Sequence, residues 1–216
     1  MHRFNASFVV LALVAGLTVS CGSSSPQANS SMQGGASPQA VVDGIKKAAA
    51  ENDIGGVVSC FVPEDRPLMS FGMLMVGDMV VGMMELSQEE EAGQFRTQLS
   101  AILKRHGLPD LQDQEEMSKL VNNSMAPEDS SALARKLVGD IDHAAFCKDM
   151  QGFLDSIPNG DGSTHEFTLD VDEKKLRLSH LVVDGTRARG KLGDQDVEFV
   201  KIDGGWFLHM DPEMLR

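Results

Sequence analysis

The sequence is short of positive charge and of cysteine, and it has none of the compact signatures of phosphate, zinc or nucleophile chemistry. Lys and Arg total 19 against 32 Asp and Glu, a net charge of −13. An acidic surface repels phosphate backbones and anionic headgroups, which excludes nucleic acid as a general partner. The three cysteines, Cys21, Cys60 and Cys147, stand too far apart in sequence to supply the clustered ligands of a metal site. No phosphate-cradling Gly-rich loop, nucleophile elbow or paired-cysteine redox motif occurs. The residues therefore point to no metal and no cofactor.

What is present begins with a targeting segment. Arg3 supplies a short positive region, and Phe8 to Leu17 form an apolar run interrupted only by small residues. That run is too short for a permanent bilayer span and reads as a secretory signal over residues 1–20. Thr18-Val19-Ser20 directly before Cys21 resembles a bacterial lipobox, in which the cysteine is acylated and becomes the mature N-terminus. Cys21 is accordingly the expected lipidation site. It would tether the chain to the extracytoplasmic face of the outer or the cytoplasmic membrane. Removal of residues 1–20 takes away one basic residue and no acidic one, so the net charge passes from −13 to −14. Residues 21–37, GSSSPQANSSMQGGAS after the cysteine, have no periodic apolar pattern and read as a flexible tether.

Residues 38–216 suit one domain by length, with an extended helical middle. Ser37-Pro38 is a cap followed by proline at the first helical position, and Val41, Ile45 and Ala48 recur on one face. Asn52-Asp53 interrupts, and Ile54, Val57, Val58 and Phe61 resume the helical period. Ser87-Gln88-Glu89-Glu90 has the form of a capping box ahead of Phe95, Leu99, Ile102 and Leu103. A shorter helical start is expected near Asp113, and a further helical region from Ser130 to Ile157, broken near Gly139-Asp140. From Thr164 the period changes to two. Phe167, Leu169 and Val171 alternate with polar residues, Leu176 to Arg189 is a long β-rich run, and Val197 to Ile202 and Trp206 to Met210 read as strands, with turns at 193–196 and 203–205. Helices first and antiparallel strands last give an α+β class.

Two segments carry a family likeness: SPQAVVDGIKKAAAENDIGGVVSCFVPEDR and VEFVKIDGGWFLHM. Their order resembles that of the nuclear-transport-factor-2-like (cystatin-like, ketosteroid-isomerase-like) superfamily, especially small bacterial lipoproteins that carry such a domain behind a lipobox. The resemblance implies N-terminal helices packed in a curved, cone-like antiparallel C-terminal sheet whose open end holds a small ligand. Such folds include isomerases, dehydratases and non-catalytic binding modules, so the fold does not select the function.

Several residues are candidates for chemistry. His165, His180 and His209 lie in the strand region. By simple alternation His180 shares a side with Leu176, Leu178 and Val182, which makes it the candidate cavity base; His209 falls opposite Trp206 and Leu208. Cys60 and Cys147 either form a disulfide in an oxidising compartment or remain buried thiols. Six methionines between 69 and 84 include the pairs Met69/Met73 and Met79/Met83, whose spacing would suit Cu(I) but equally a packed helix core. Asp155, Asn159, Asp161, Ser163 and Glu166 fall on a calcium-loop template spoiled by Ile157 at a ligand position. Arg187, Arg189 and Lys191 alternate on one face of a strand. The expected function is a membrane-anchored, non-catalytic module for a small apolar ligand or an envelope protein. The alternative is an isomerase- or hydrolase-like enzyme using a strand histidine.

Overall fold

The computed structural model describes residues 34–88, 90–110, 130–158, 169 and 176–210. Among them, helices precede a four-stranded antiparallel sheet in the order β1-β2-β3-β4, an α+β arrangement. Contacts divide these residues into a sheet unit, 34–66 with 169 and 176–210, and a helical unit, 67–158.

In the sheet unit, α1 (Pro38–Ala50) starts where the sequence signals it. The Ser37 hydroxyl accepts the Ala40 N–H at 3.1 Å, and Pro38 supplies a pre-set φ where no N–H is needed. The helix buries Val41, Val42, Ile45 and Ala48. Asn52 then adopts φ 51°, a left-handed conformation that ends the turn, and the short α2 (Ile54–Ser59) buries Ile54, Val57 and Val58.

The strands are β1 (Leu178–Asp184), β2 (Arg187–Leu192), β3 (Gln195–Ile202) and β4 (Gly205–His209). Tight turns join them. Gly185 (φ 59°) and Gly193 (φ 60°) serve two, and Asp203 (φ 50°) with Gly204 (φ 88°) form the third. The β-rich run from Leu176 to Arg189 is thus divided by a tight turn at Gly185-Thr186, between Asp184 of β1 and Arg187 of β2. Period-two burial sorts the side chains into an inner face with Ala188, Leu192, Val197 and Phe199 buried and an outer face carrying Arg187, Arg189, Lys191 and Glu198.

The two sides of the sheet are treated differently. Along β4, Gly35 and Trp206 exchange both backbone hydrogen bonds, at 2.9 and 2.8 Å. Farther along, the Val62 N–H donates to Leu208 O and the Leu208 N–H to Cys60 O, each at 2.9 Å. The N-terminal chain therefore closes this edge, and Gly35, in the stretch expected to be tether, is part of the closure. Gly34 and Gly205 make it possible. A Cβ on Gly205 would lie 2.7 Å from Gly34 Cα and 2.8 Å from its nitrogen. At the other side, β1 ends the sheet with no strand beyond it among the described residues.

In the helical unit, α3 (Arg66–Leu86, whose first residue belongs to the sheet unit) is long and apolar enough to span a bilayer, yet half of that apolar window is buried inside the protein. Its last turn carries straight on into the expected capping box. The Ser87 N–H donates to Met83 O, the Gln88 N–H to Glu85 O, and Gln88 sits at φ 56° as a helix-ending residue. Ser87 therefore finishes α3 instead of capping its successor, and α4 (Ala92–Arg105) begins behind Glu91 with no side-chain cap. Arg96, on α4, is half-buried and pairs with Asp78 and, bidentately at 2.9 Å, with Glu85, binding α4 to α3. The break expected near Gly139 is present: α5 (Ser130–Val138) stops at Gly139, φ 55°, and Asp142 caps α6 (His143–Asp155) by accepting the Ala145 N–H. Phe95 meets Phe153 edge-on at 6.3 Å between ring centres.

Gly205→Ala is expected to destabilise the protein by about 1–3 kcal/mol, because backbone rather than a flexible side chain blocks the added methyl. Gly93→Ala, at a helical position with open space around it, should raise stability by about 0.5–1 kcal/mol. Urea denaturation of both variants checks the pair; a neutral Gly205→Ala would deny the close approach.

Candidate functional site

The outer face of the sheet holds an open groove of about 520 Å³, built entirely within the sheet unit. Its walls include His180, Val182, Arg189, Lys191, Glu198 and His209. Cross-strand register explains the set. Val182, Arg189, Glu198 and His209 lie opposite one another across all four strands, so their side chains share one face.

His180 reaches this face by an irregularity. The register shifts between Ser179 and Val182, which leaves two residues opposite Gly190, and His180 takes φ 52°. A bulge breaks strict alternation and re-aims one side chain. Leu178, paired with Leu192, and Val182, paired with Arg189, consequently lie on opposite faces. His180 is exposed and sits with the charged residues, not among Leu176 and Leu178 in an apolar cavity.

His209, at the far end, has the more developed environment. Its Nδ1 lies 2.9 Å from Asp65 Oδ2, and the same oxygen accepts the Met210 N–H at 2.7 Å. Asp65 is nearly buried, 8 % exposed, while the imidazole is about one-third open to the groove. Burial pushes the Asp65 carboxyl above the usual range; the Met210 N–H and His209 pull it back only in part. Asp65 escapes a reading confined to the strands, since it stands 144 residues from its partner in the Pro63-Glu64-Asp65-Arg66 turn. Arg66 fixes that turn: its guanidinium donates to Phe61 O and Ser59 O, both at 3.0 Å, and lies over the Phe207 ring.

The remaining charges of the groove neutralise one another. Glu198 is shared by Arg187 at 2.9 Å and Arg189 at 3.7 Å, and Lys191 meets Asp196 at 3.0 Å. Such exposed pairs add about 0–1 kcal/mol each, so they organise the surface more than they stabilise it.

Other expected residues lie elsewhere. Cys60 and Cys147 are buried thiols, one in each unit, and neither takes part in a disulfide. Cys147 has the fully buried Ser70 hydroxyl at 3.5 Å, which also lies 3.0 Å from His143 Nδ1; burial pushes the thiol up to about 12, far from a reactive thiolate. The methionines of α3 divide: Met69, Met73 and Met84 are buried, while Met75, Met79 and Met83 are exposed. No group of three His, Cys, Asp or Glu able to hold a metal occurs among the described residues. His165 and most of the calcium-loop template, as well as Cys21, lie outside the described residues.

A second cleft, about 650 Å³, lies in the helical unit beside His106, Leu108, Lys136 and Ile141. His106 stacks edge-on against Phe146 at 5.3 Å and places Nε2 3.0 Å from Asp149. Burial raises the Asp149 carboxyl, but His106 and Arg105 together outweigh it and hold the group below its ordinary range. This network ties α4 to α6.

The raised Asp65 value sets a pH signature. A carboxyl that binds its proton more tightly folded than unfolded loses its stabilising contribution as pH rises from the unfolded value through the folded one. Asp65→Asn removes this ionisation. The stability of the variant relative to wild type should therefore be most favourable at neutral pH and decline as pH falls toward about 4. Urea denaturation at several pH values tests this; a difference that grows more favourable on acidification would contradict it.

Comparison with protein-family models, with curated proteins and with solved structures gives no match to this chain.

Proposed function

We propose that the protein is a lipid-anchored envelope lipoprotein, tethered through Cys21, whose sheet unit binds a protein partner without catalysing a reaction. The observation that carries this reading is the outer sheet face. It is open and mixed in charge, its ionic groups are already paired to each other, and it runs out to an exposed apolar strand. That surface offers complementarity to another protein, and the closed apolar pocket suited to a small hydrophobic ligand is not its character. The lipobox-like Thr18-Val19-Ser20-Cys21 and the Ser/Gly-rich residues after it support the anchor. The likeness to nuclear-transport-factor-2-like lipoproteins, with helices cupped in a cone-like sheet, belongs to the same proposal. Its support is the order of capped helices before antiparallel strands.

Two experiments test it. In a bacterial host the processed chain should partition with membranes and carry acyl groups on its N-terminal cysteine by mass spectrometry, and Cys21→Ser should release it; an unmodified Cys21 would defeat the anchor. A photo-crosslinking residue at Arg189 in the full lipidated chain should give discrete protein adducts, and the same residue at Lys47 on α1 should not. Equal or absent labelling at the two positions would defeat the binding face.

A second reading rests on the Asp65–His209 pair. A buried carboxylate on Nδ1 is the arrangement that leaves Nε2 free as a general base toward a groove. That role demands the Nδ1–H tautomer of neutral His209. Long-range ¹H–¹⁵N spectra of the imidazole should show it in the wild type and lose it in Asp65→Asn; an Nε2–H tautomer in the wild type would remove the base and the enzyme reading with it.

A further inference from the structure

The open end of the sheet is chemically self-complementary. β1 carries Leu181, Val182 and Val183, exposed by 39, 67 and 53 %, in one consecutive run. The strand contains no Lys, Arg or Pro to discourage pairing, and its outer side has no strand partner among the described residues. The opposite edge, by contrast, is closed by Gly35 and Phe61. His180 and Asp184 flank the apolar run.

We propose that β1 pairs antiparallel with β1 of a second copy, joining two four-stranded sheets into one of eight. A two-fold axis perpendicular to the sheet keeps each face on its own side. Opposed residues must then share a face, so only registers centred on a residue are permitted. Centring on Leu181 sets His180 against Val182, and centring on Val183 sets Val182 against Asp184. Centring on Val182 sets Val182 against its own mate, Leu181 against Val183, and His180 against Asp184, twice. This register alone buries the apolar run against itself and brings an imidazole N–H to a carboxylate at both ends. The faces agree with it. His180 and Val182 line the groove, and Asp184, paired with Arg187, lies on the same outer side. The bulge matters here because it delivers His180 to that side. Pairing also extends the groove across the axis into its mate, so the binding face of the proposed function would be double.

This inference rests on the reading of the sheet as a binding surface and names its partner. The full lipidated chain in detergent should sediment as a dimer. Val182→Lys, at an exposed position, should make it monomeric while its circular dichroism stays native. His180→Asp should weaken the dimer by about tenfold through two like-charge contacts, and His180→Asp/Asp184→His should restore it by reversing the pair. Val182→Cys should form a disulfide-linked dimer under mild oxidation, and Asp194→Cys on the β2–β3 turn should not. A monomeric wild type, or a double swap no better than the single variant, overturns edge pairing. Adducts to other proteins at Arg189 from a monomeric chain would overturn the pairing and leave the protein-binding reading standing.

Discussion

The closing of the β4 edge by the N-terminal backbone is the constraint on which the sheet unit depends. Two glycines, Gly34 and Gly205, let main chain approach main chain closely enough for Gly35 and Trp206 to exchange hydrogen bonds. A second contact, Cys60 and Val62 with Leu208, pins the chain after α2. Once both hold, the Pro63–Arg66 turn lies at the end of β4 and Asp65 meets His209. The same closure makes the sheet one-sided, with a strand edge left without a strand partner at β1 among the described residues.

Burial and charge then divide the labour on that sheet. The inner face removes Phe199, Leu208 and their neighbours from water, the term that stabilises the unit. The outer face keeps charges in short, exposed pairs that add little energy but present a patterned surface. Asp65 is the exception. It is a nearly buried carboxylate whose ionisation the fold disfavours, retained where it orients a groove histidine. A group held against its own stability is better explained by what it positions than by what it stabilises.

Much of the architecture was legible in the chain because single residues act locally there. Ser37-Pro38 caps α1, Gly139 ends a helix, and Asp203-Gly204 forces a tight turn, each through conformational rules that need no tertiary context. What was not legible depended on distant or competing partners. Ser87 has the look of a helix start, yet α3 reaches it first and uses it as an end. Gly34-Gly35 has the composition of linker, and only the glycine at 205 reveals it as an edge partner. The His180 bulge inserts one residue into a strand without any compositional mark, so alternation places the imidazole on the wrong side. Asp65 belongs to a turn whose partner is 144 residues away, beyond any pattern of spacing.

Native-state hydrogen exchange, read residue by residue by NMR, tests the closure most directly. The amides of Gly35, Val62, Trp206 and Leu208 should be protected together and released at a common free energy, as one cooperative unit. Loop-like exchange at Gly35 and Val62, with Trp206 and Leu208 still protected, would contradict it.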